Sequence, residues 1–161
     1  MIAIIAEKPS VGQEIARVVG ATEKKDGYIT GNGYMVTWAL GHLVSLALPG
    51  TYGYTRTTAE DLPMLPEPFR LVERQIRTDR GMVTDIAAGR QLKVIDGVFS
   101  ECDSIIVATD AGREGELIFR WIYSHLGCTK PFKRLWFSSL TDEAIRKGMA
   151  DLREGYEYDS L

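Results

Sequence analysis

Ionisable side chains follow two of the most apolar segments of the chain. The run at residues 105–107 leads into ATDAGREGE at residues 108–116, which carries Asp110, Arg113, Glu114 and Glu116. Residues 2–5, also apolar, lead into Glu7 and Lys8. Carboxylates that lie close together need a compensating positive charge, and Mg²⁺, which prefers hard oxygen ligands, can supply it. These residue types therefore point to a metal-assisted site that acts on phosphate groups.

The neighbouring residues suit the same chemistry. Gly112 and Gly115 allow unusual backbone angles and the close approach of a ligand. Arg113 and Lys8 are candidates for contacts with a phosphate or with a neighbouring carboxylate.

Short strands and helices must position these groups. Residues 2–5 predict a buried strand, and Ser10, with Gln13 three residues later, predicts the start of a helix. Residues 104–110 predict a second buried strand, and residues 114–126 predict a helix. In an open α/β sheet, function gathers at the carboxyl ends of the strands. If the two strands are neighbours, the carboxylates that follow them converge on one spot.

The rest of the chain completes an α/β pattern. Asn32 and Gly33 mark the turn of a hairpin over residues 27–43. Residues 49–69 predict an ordered surface excursion. Residues 79–100 predict a helix that is broken near Gly89 and whose apolar stripe includes Met82 and Val83. Residues 133–137 predict a strand, and Thr141 is expected to cap a last helix. Short apolar strands that alternate with helices predict a mostly parallel central sheet with helices on both faces, plus the hairpin.

Composition limits the class of protein. The 161 residues match one domain. The net charge of −3 is unlike the basic balance of most nucleic-acid-binding domains, so a polyanion would be held by a local patch or a metal. Cys102 and Cys128 lack metal-ligand spacing and fit a reducing cytosol. No apolar run approaches 18 residues, so we expect no membrane span.

Each candidate residue also has a structural alternative. Glu114 and Glu116 would favour the dipole at the start of a helix. Glu7 could be a solvated turn residue, Arg113 an ion-pair partner, and His42 an ordinary turn or core histidine. Spacing alone leaves these alternatives open.

Five motifs, in order along the chain, resemble one family. They are IAEKPS, VTWALGHL, EDLPMLPEPF, ATDAGREGELI and SSLTDEAI. Together they resemble the N-terminal Toprim domain, a Rossmann-like fold, of the type IA DNA topoisomerases, most of all the bacterial topoisomerase III subfamily. The resemblance implies ATP-independent cleavage of one DNA strand through a 5′-phosphotyrosine, passage of another strand, and religation.

The resemblance also implies a role for each site residue. Glu7 would donate or relay a proton to the 3′-hydroxyl leaving group, Lys8 would stabilise charge on the phosphate, and Arg113 would position acid or phosphate groups. The implied Mg²⁺ ligands are Glu7, Asp110 and Glu114, and the candidates for contact with the ion through water are Glu116 and His42.

Two positions depart from the family pattern. Many members carry Asp-X-Asp, whereas this chain has Gly112 in place of the second aspartate, which puts a two-metal arrangement in doubt. None of the seven tyrosines lies in a motif that resembles the nucleophile site of the family. We therefore expect a Toprim domain over residues 1–150, the start of a linker to missing topoisomerase domains over residues 151–161, and no activity for the chain alone.

The expected partners are a single-stranded DNA segment at the cleavage site and the remainder of the same polypeptide, without a membrane. The expected location is the bacterial cytoplasm, at the nucleoid or a plasmid. Two other functions stay open. One is a metal-dependent nuclease or primase-like Toprim domain, and the other is a non-catalytic Toprim scaffold that lost its metal with the aspartate at Gly112.

Overall fold

A seven-stranded sheet organises the chain. The computed structural model describes residues 1–54, 58–79 and 81–160. The strands are β1 (Ile2–Ala6), β2 (Glu23–Lys25), β3 (Tyr28–Gly31), β4 (Tyr34–Trp38), β5 (Val44–Leu46), β6 (Leu71–Glu73), β7 (Gln75–Thr78), β8 (Gly81–Thr84), β9 (Ser104–Ala108), β10 (Phe132–Arg134) and β11 (Arg153–Glu154). The helices are α1 (Pro9–Val19), α2 (Ile86–Glu101), α3 (Arg113–His125) and α4 (Asp142–Ala150), and the short 3-10 helices are Pro49–Tyr52, Ala59–Asp61 and Gly155–Tyr158.

The main sheet has the strand order β11-β10-β9-β1-β4-β3-β2. Its four central strands, β10, β9, β1 and β4, run parallel, and β11, β3 and β2 extend the edges in antiparallel pairs. Ala6 pairs in register with Ala108 and with Trp38, so β1 ends level with both of its neighbours. The two buried strands are therefore neighbours, which is the condition under which the carboxylates that follow them were expected to converge.

Helices cover both faces of this sheet. Because successive side chains of a strand point to opposite faces, Ile4 packs in the cluster under α1 and α4, and Ile5 packs in the cluster under α2 and α3. Both isoleucines are fully buried. The predicted fold class, an α/β sheet with helices on both faces, is confirmed.

Local sequence signals predicted several elements correctly. Asn32 and Gly33, both with positive φ, form the turn between β3 and β4. Thr141 caps α4, and its hydroxyl accepts a hydrogen bond from the amide of Ala144. The predicted start of α1 was late: the helix begins at Pro9, because proline suits the first helical position, and Ser10 makes no cap.

The helix predicted over residues 79–100 was wrong in its first part. Residues 81–84 form strand β8, which pairs with β7, and Met82 and Val83 are exposed on that hairpin. The helix starts only after Asp85, whose carboxylate accepts hydrogen bonds from two amides of the first turn. It then runs unbroken through Gly89, where an added Cβ would lie 2.8 Å from the carboxylate of Glu73.

The excursion over residues 49–69 lies on the surface as predicted. It contains two short 3-10 helices, neither of which has a buried residue, between strands β5 and β6. Residues 55–57 of this excursion, residue 80 of the predicted helix and residue 161 of the predicted linker lie outside the described residues.

The segment after residue 150 packs onto the domain. Strand β11 pairs with β10, and the ring of Tyr158 stacks on Trp136 with centroids 4.8 Å apart. Strand β11 is thus an edge of the main sheet, and the 3-10 helix that follows it packs on Trp136 through Tyr158. The predicted domain boundary at residue 150 and a linker that follows it stay predictions.

Candidate active site

Two carboxylates meet at the carboxyl ends of β1 and β9. Glu7 directly follows β1, and Asp110 follows β9 after one residue, Thr109. The amide of Asp110 donates a hydrogen bond to Oε2 of Glu7 over 3.3 Å. We call Glu7 and Asp110 the acidic pair. Two of the three carboxylates that the strand patterns predicted to converge therefore come together.

Lys8 lies between the two members of the acidic pair. Its Nζ is 3.5 Å from Oε1 of Glu7 and 3.7 Å from Oδ2 of Asp110. The Glu7 side chain is only 13% exposed, whereas that of Asp110 is 57% exposed. The ammonium group thus compensates two negative charges at a spot that solvent reaches from the Asp110 side.

Glu114 does not share this spot. It is the second residue of α3, its side chain is 77% exposed, and its Oε2 lies 2.9 Å from Nε2 of His42. The His42 ring packs edge-on against Trp121, with centroids 5.8 Å apart. Arg74 holds the loop before β5 by donating hydrogen bonds to the carbonyl oxygens of Leu40 and His42. The structure therefore pairs Glu114 with His42.

Among residues 1–54, 58–79 and 81–160, no group of three Asp, Glu, His or Cys side chains lies close enough to hold a metal ion. The convergence of three carboxylates that the sequence suggested is reduced here to the acidic pair. The assignment of Glu114 as a third ligand stays a prediction.

Glu116 is turned away from the acidic pair into the protein. Its side chain is 6% exposed, and its Oε1 lies 2.8 Å from Nε of Arg120. Its Oε2 lies 3.3 Å from Nε of Arg134, a side chain that is 1% exposed. A contact between Glu116 and a metal through water stays a prediction, but the charges that Glu116 meets here are two arginines.

Arg134 is the buried site residue that sequence reasoning missed. The signal was available: Arg134 is a charged residue within the predicted strand 133–137. Charged residues are almost never fully buried unless they are paired. Burial lowers the pKa of Arg134, and the charge of Glu116 opposes that effect.

Gly112 and Arg113 form the start of α3. Gly112 occupies the N-cap with φ +154°, and a Cβ added there would meet no atom within 4 Å. Arg113 is exposed and lines a shallow pocket together with Arg120, Trp121 and Asp159. The guanidinium of Arg113 is therefore accessible to a ligand.

An open groove begins at Asp110. Its volume is about 440 Å³, and it is lined by Asp110, Ala111 and residues 136–140. The groove offers the aromatic rings of Trp136 and Phe137 together with the hydroxyls of two serines. It therefore gives an extended ligand access to Asp110, one member of the acidic pair.

In the part of the chain that the structure describes, no helix has the length and apolar character needed to cross a membrane.

Known proteins resemble this chain in sequence. The profile of the family described as the Toprim domain matches residues 2–140. DNA topoisomerase 3 of Bacillus subtilis (strain 168) is 46% identical over 162 residues, which cover 98% of this chain and 21% of that protein. DNA topoisomerase 3 of Bacillus anthracis is 48% identical over 163 residues, with the same two coverages of 98% and 21%. The chain thus spans 21% of the length of these curated relatives.

A solved structure has a similar fold. Full-length topoisomerase I from Thermotoga maritima matches with a TM-score of 0.57 and 20% identity, over 94% of this chain and 21% of that one. This likeness concerns the fold.

Proposed function

Because the chain belongs to the Toprim domain family, we propose that it forms the Toprim part of a type IA DNA topoisomerase of the topoisomerase 3 kind. The whole enzyme would act as an isomerase: it cleaves one DNA strand, passes another through the gap and religates the first, without ATP. The nucleophilic tyrosine would lie outside this chain, on the remainder of the polypeptide. One observation carries this proposal: Glu7, Lys8 and Asp110 meet at the carboxyl ends of adjacent parallel strands.

The acidic pair fits Mg²⁺. Its two carboxylates face one spot, and the cationic Nζ of Lys8 lies within 4 Å of both. This spot therefore accommodates a positive charge. Mg²⁺ commonly uses one or two carboxylates and completes its coordination with water and substrate phosphate. Glu114, exposed at the start of α3, is the candidate for a third ligand. When bound, the ion would supply positive charge beside the phosphate.

Glu7 and Lys8 suit two different roles in strand cleavage, one at the leaving group and one at the scissile phosphate. Glu7 is mostly shielded from solvent and would hold the proton that passes to the 3′-hydroxyl leaving group. Lys8, whose side chain is exposed, would turn from the acidic pair toward the scissile phosphate and stabilise its negative charge. Arg113 would contact a neighbouring phosphate, because its guanidinium is exposed next to the same turn.

The groove beside Asp110 is the proposed path of the DNA strand. A single strand exposes its bases, which stack on aromatic rings, and Phe137, which lines this groove, offers such a ring. The net charge of −3 supports a division of labour, in which the remainder of the polypeptide supplies most of the grip on DNA. A bacterial enzyme that acts on chromosomal or plasmid DNA would work in the cytoplasm.

A non-catalytic scaffold is the second candidate. The described residues contain no group of three potential metal ligands, and Gly112 lacks the carboxylate that many family members carry there. A scaffold would fold as this chain does, yet would neither bind a divalent metal at the acidic pair nor support cleavage.

Glu7→Gln in the full-length polypeptide tests the proposed function. Removal of a general acid or base typically lowers a rate by about 10²–10⁴-fold. We expect a loss of that order in covalent adduct formation with a labelled single-stranded oligonucleotide, and in plasmid relaxation. Glu14→Gln is the matched control, because Glu14 is exposed on α1 and pairs with Arg17.

Three outcomes separate the candidates. Loss of adduct in Glu7→Gln but not in Glu14→Gln supports the topoisomerase. Metal-dependent cutting without a protein–DNA adduct would point to the nuclease or primase-like class, and neither cutting nor metal binding would point to the scaffold. The 161-residue chain alone should not relax plasmid, since it lacks a candidate nucleophilic tyrosine.

A further inference from the structure

Arg134 is the largest fully buried side chain of the described residues. Burial of a charge is unfavourable unless the charge is paired and hydrogen-bonded. Lysine, with a point charge at its tip, cannot reproduce the planar fork of donors that arginine offers. The hydrogen-bond acceptors of the Arg134 guanidinium therefore indicate which part of the chain this side chain holds in place.

Arg134 binds the turn that follows β9. Its NH1 donates to the hydroxyl of Thr109 over 2.7 Å and to the carbonyl of Val107 over 3.4 Å. Its NH2 donates to the carbonyl of Asp110 over 2.7 Å. The Thr109 hydroxyl in turn donates to the carbonyl of Gly115 over 2.7 Å. One guanidinium thus ties the end of the strand to the first turn of α3.

The main chain of Asp110 is held from two sides. Its carbonyl accepts from Arg134, and its amide donates to the carboxylate of Glu7 over 3.3 Å. Its side chain extends to the same spot as Lys8. A change in the Arg134 contacts would therefore shift both members of the acidic pair relative to each other.

Glu116 lies between Arg134 and Arg120, and only Glu116 contacts Arg134 directly. Glu116 faces Nε of Arg134 across 3.3 Å and bonds Nε of Arg120 across 2.8 Å. Arg120 also donates to the carbonyl of Gly155 and pairs with Asp159. Oε2 of Glu116 and Nε of Arg134 lack hydrogen-bond alignment, so their contact is electrostatic. The strong directional bonds of Arg134 all go to the turn.

We propose that Arg134 is a positioning residue: it fixes the main chain of Thr109 and Asp110 so that the Asp110 carboxylate stays beside Glu7 and Lys8. The proposal rests on the proposed function in one respect, the assignment of the acidic pair as the metal site. Arg134 itself is buried, so its effect on the metal ion would pass through the position of Asp110.

The test compares Arg134→Lys with Arg120→Lys in the 161-residue chain. Both substitutions keep the charge next to Glu116, but only the first removes the donors to the turn. Mn²⁺ binding is measured by electron paramagnetic resonance, and the amide signals of residues 109–115 by ¹H–¹⁵N NMR without metal. Loss of a residue that orients a metal ligand typically weakens metal binding by about 10–100-fold. We expect Arg134→Lys to weaken Mn²⁺ binding by about tenfold or more and to shift the Asp110 amide signal.

Arg120→Lys should leave both measurements near those of the parent chain. Equal effects of the two variants would overturn the positioning role, because a merely structural arginine would not single out Asp110. Should Arg134→Lys fail to fold, Thr109→Val is the second variant. It removes the hydroxyl that accepts a hydrogen bond from Arg134 and donates one to the carbonyl of Gly115, and it is expected to move both measurements in the same direction. If the parent chain itself binds no Mn²⁺, the metal site of the proposed function is wrong, and the amide signals alone decide the positioning role.

Discussion

Replacement of Gly115 by alanine should destabilise the protein, although alanine is the better helix former. Gly115 lies in the first turn of α3, directly behind Asp110. A Cβ at this position would lie 2.0 Å from the carbonyl oxygen of Asp110 and 2.8 Å from its backbone nitrogen. The backbone of Asp110 would have to move by more than about 1 Å to reach a tolerable contact distance. That movement breaks the hydrogen bond from Arg134.

The size of the effect follows from three contributions. Overpacking of a rigid contact costs about 1–3 kcal/mol. Loss of a hydrogen bond to a charged group, here between Arg134 and the carbonyl of Asp110, costs about 1.5–3 kcal/mol. Alanine in place of glycine in a helix returns about 1 kcal/mol. We therefore expect the free energy of unfolding to fall by about 1.5–5 kcal/mol.

Urea unfolding followed by circular dichroism measures this difference. Gly97→Ala is the matched control, because Gly97 lies inside α2 and an added Cβ there meets no atom within 4 Å. That substitution should raise the free energy of unfolding by about 0.5–1 kcal/mol. The two alanines should thus have opposite signs. Stabilisation by Gly115→Ala comparable with that of Gly97→Ala would refute the proposed close contact with Asp110.

Two further predictions concern the site and its support. Gly112→Asp should tighten Mn²⁺ binding, because the new carboxylate has open space next to the acidic pair. The φ of +154° at residue 112 is unfavourable for aspartate, so the metal-free variant should also have a lower thermal stability. Equal Mn²⁺ affinities for the parent chain and the variant would rule out the first effect. Asp85→Asn should lower Tm at neutral pH, because a hydrogen bond from Arg74 holds the pKa of Asp85 below its ordinary 3.8. That stabilisation is present above pH 3.8 and is lost as the pH falls toward the folded pKa, so the Tm difference from the parent should narrow in acid. A difference in Tm that persists unchanged through that range, or that also occurs in the exposed-site control Asp96→Asn, would contradict this account.

Features that depend on neighbouring residues could be predicted from the sequence. The apolar runs of β1 and β9, the Asn32-Gly33 turn and the Thr141 cap all depend on local contacts and backbone preferences. Residues that directly follow a parallel strand lie at the carboxyl edge of the sheet, which is why Glu7 and Asp110 could be expected together. The family resemblance rested on the same short motifs.

The helical pattern failed at residues 81–84, because a short apolar run fits a strand as well as it fits a helix. Met82 and Val83 were predicted on a helix but lie on the exposed β8 strand. The residues that decide the matter are Gln75 to Thr78, which pair with β8, and Asp85, which ends the hairpin and caps the helix. Such pairing is a contact between segments and is invisible to the helical period of one segment.

The acidic turn shows most clearly what only the tertiary structure decided. The sequence by itself determined that Asp110, Glu114 and Glu116 follow a buried strand, but it did not determine where each carboxylate points. Their directions depend on side chains from distant parts of the chain: Asp110 faces Lys8, Glu114 faces His42, and Glu116 faces Arg134. A carboxylate goes to the partner that best compensates its charge and its lost hydration, and which partners are within reach is set by the packing of the whole domain.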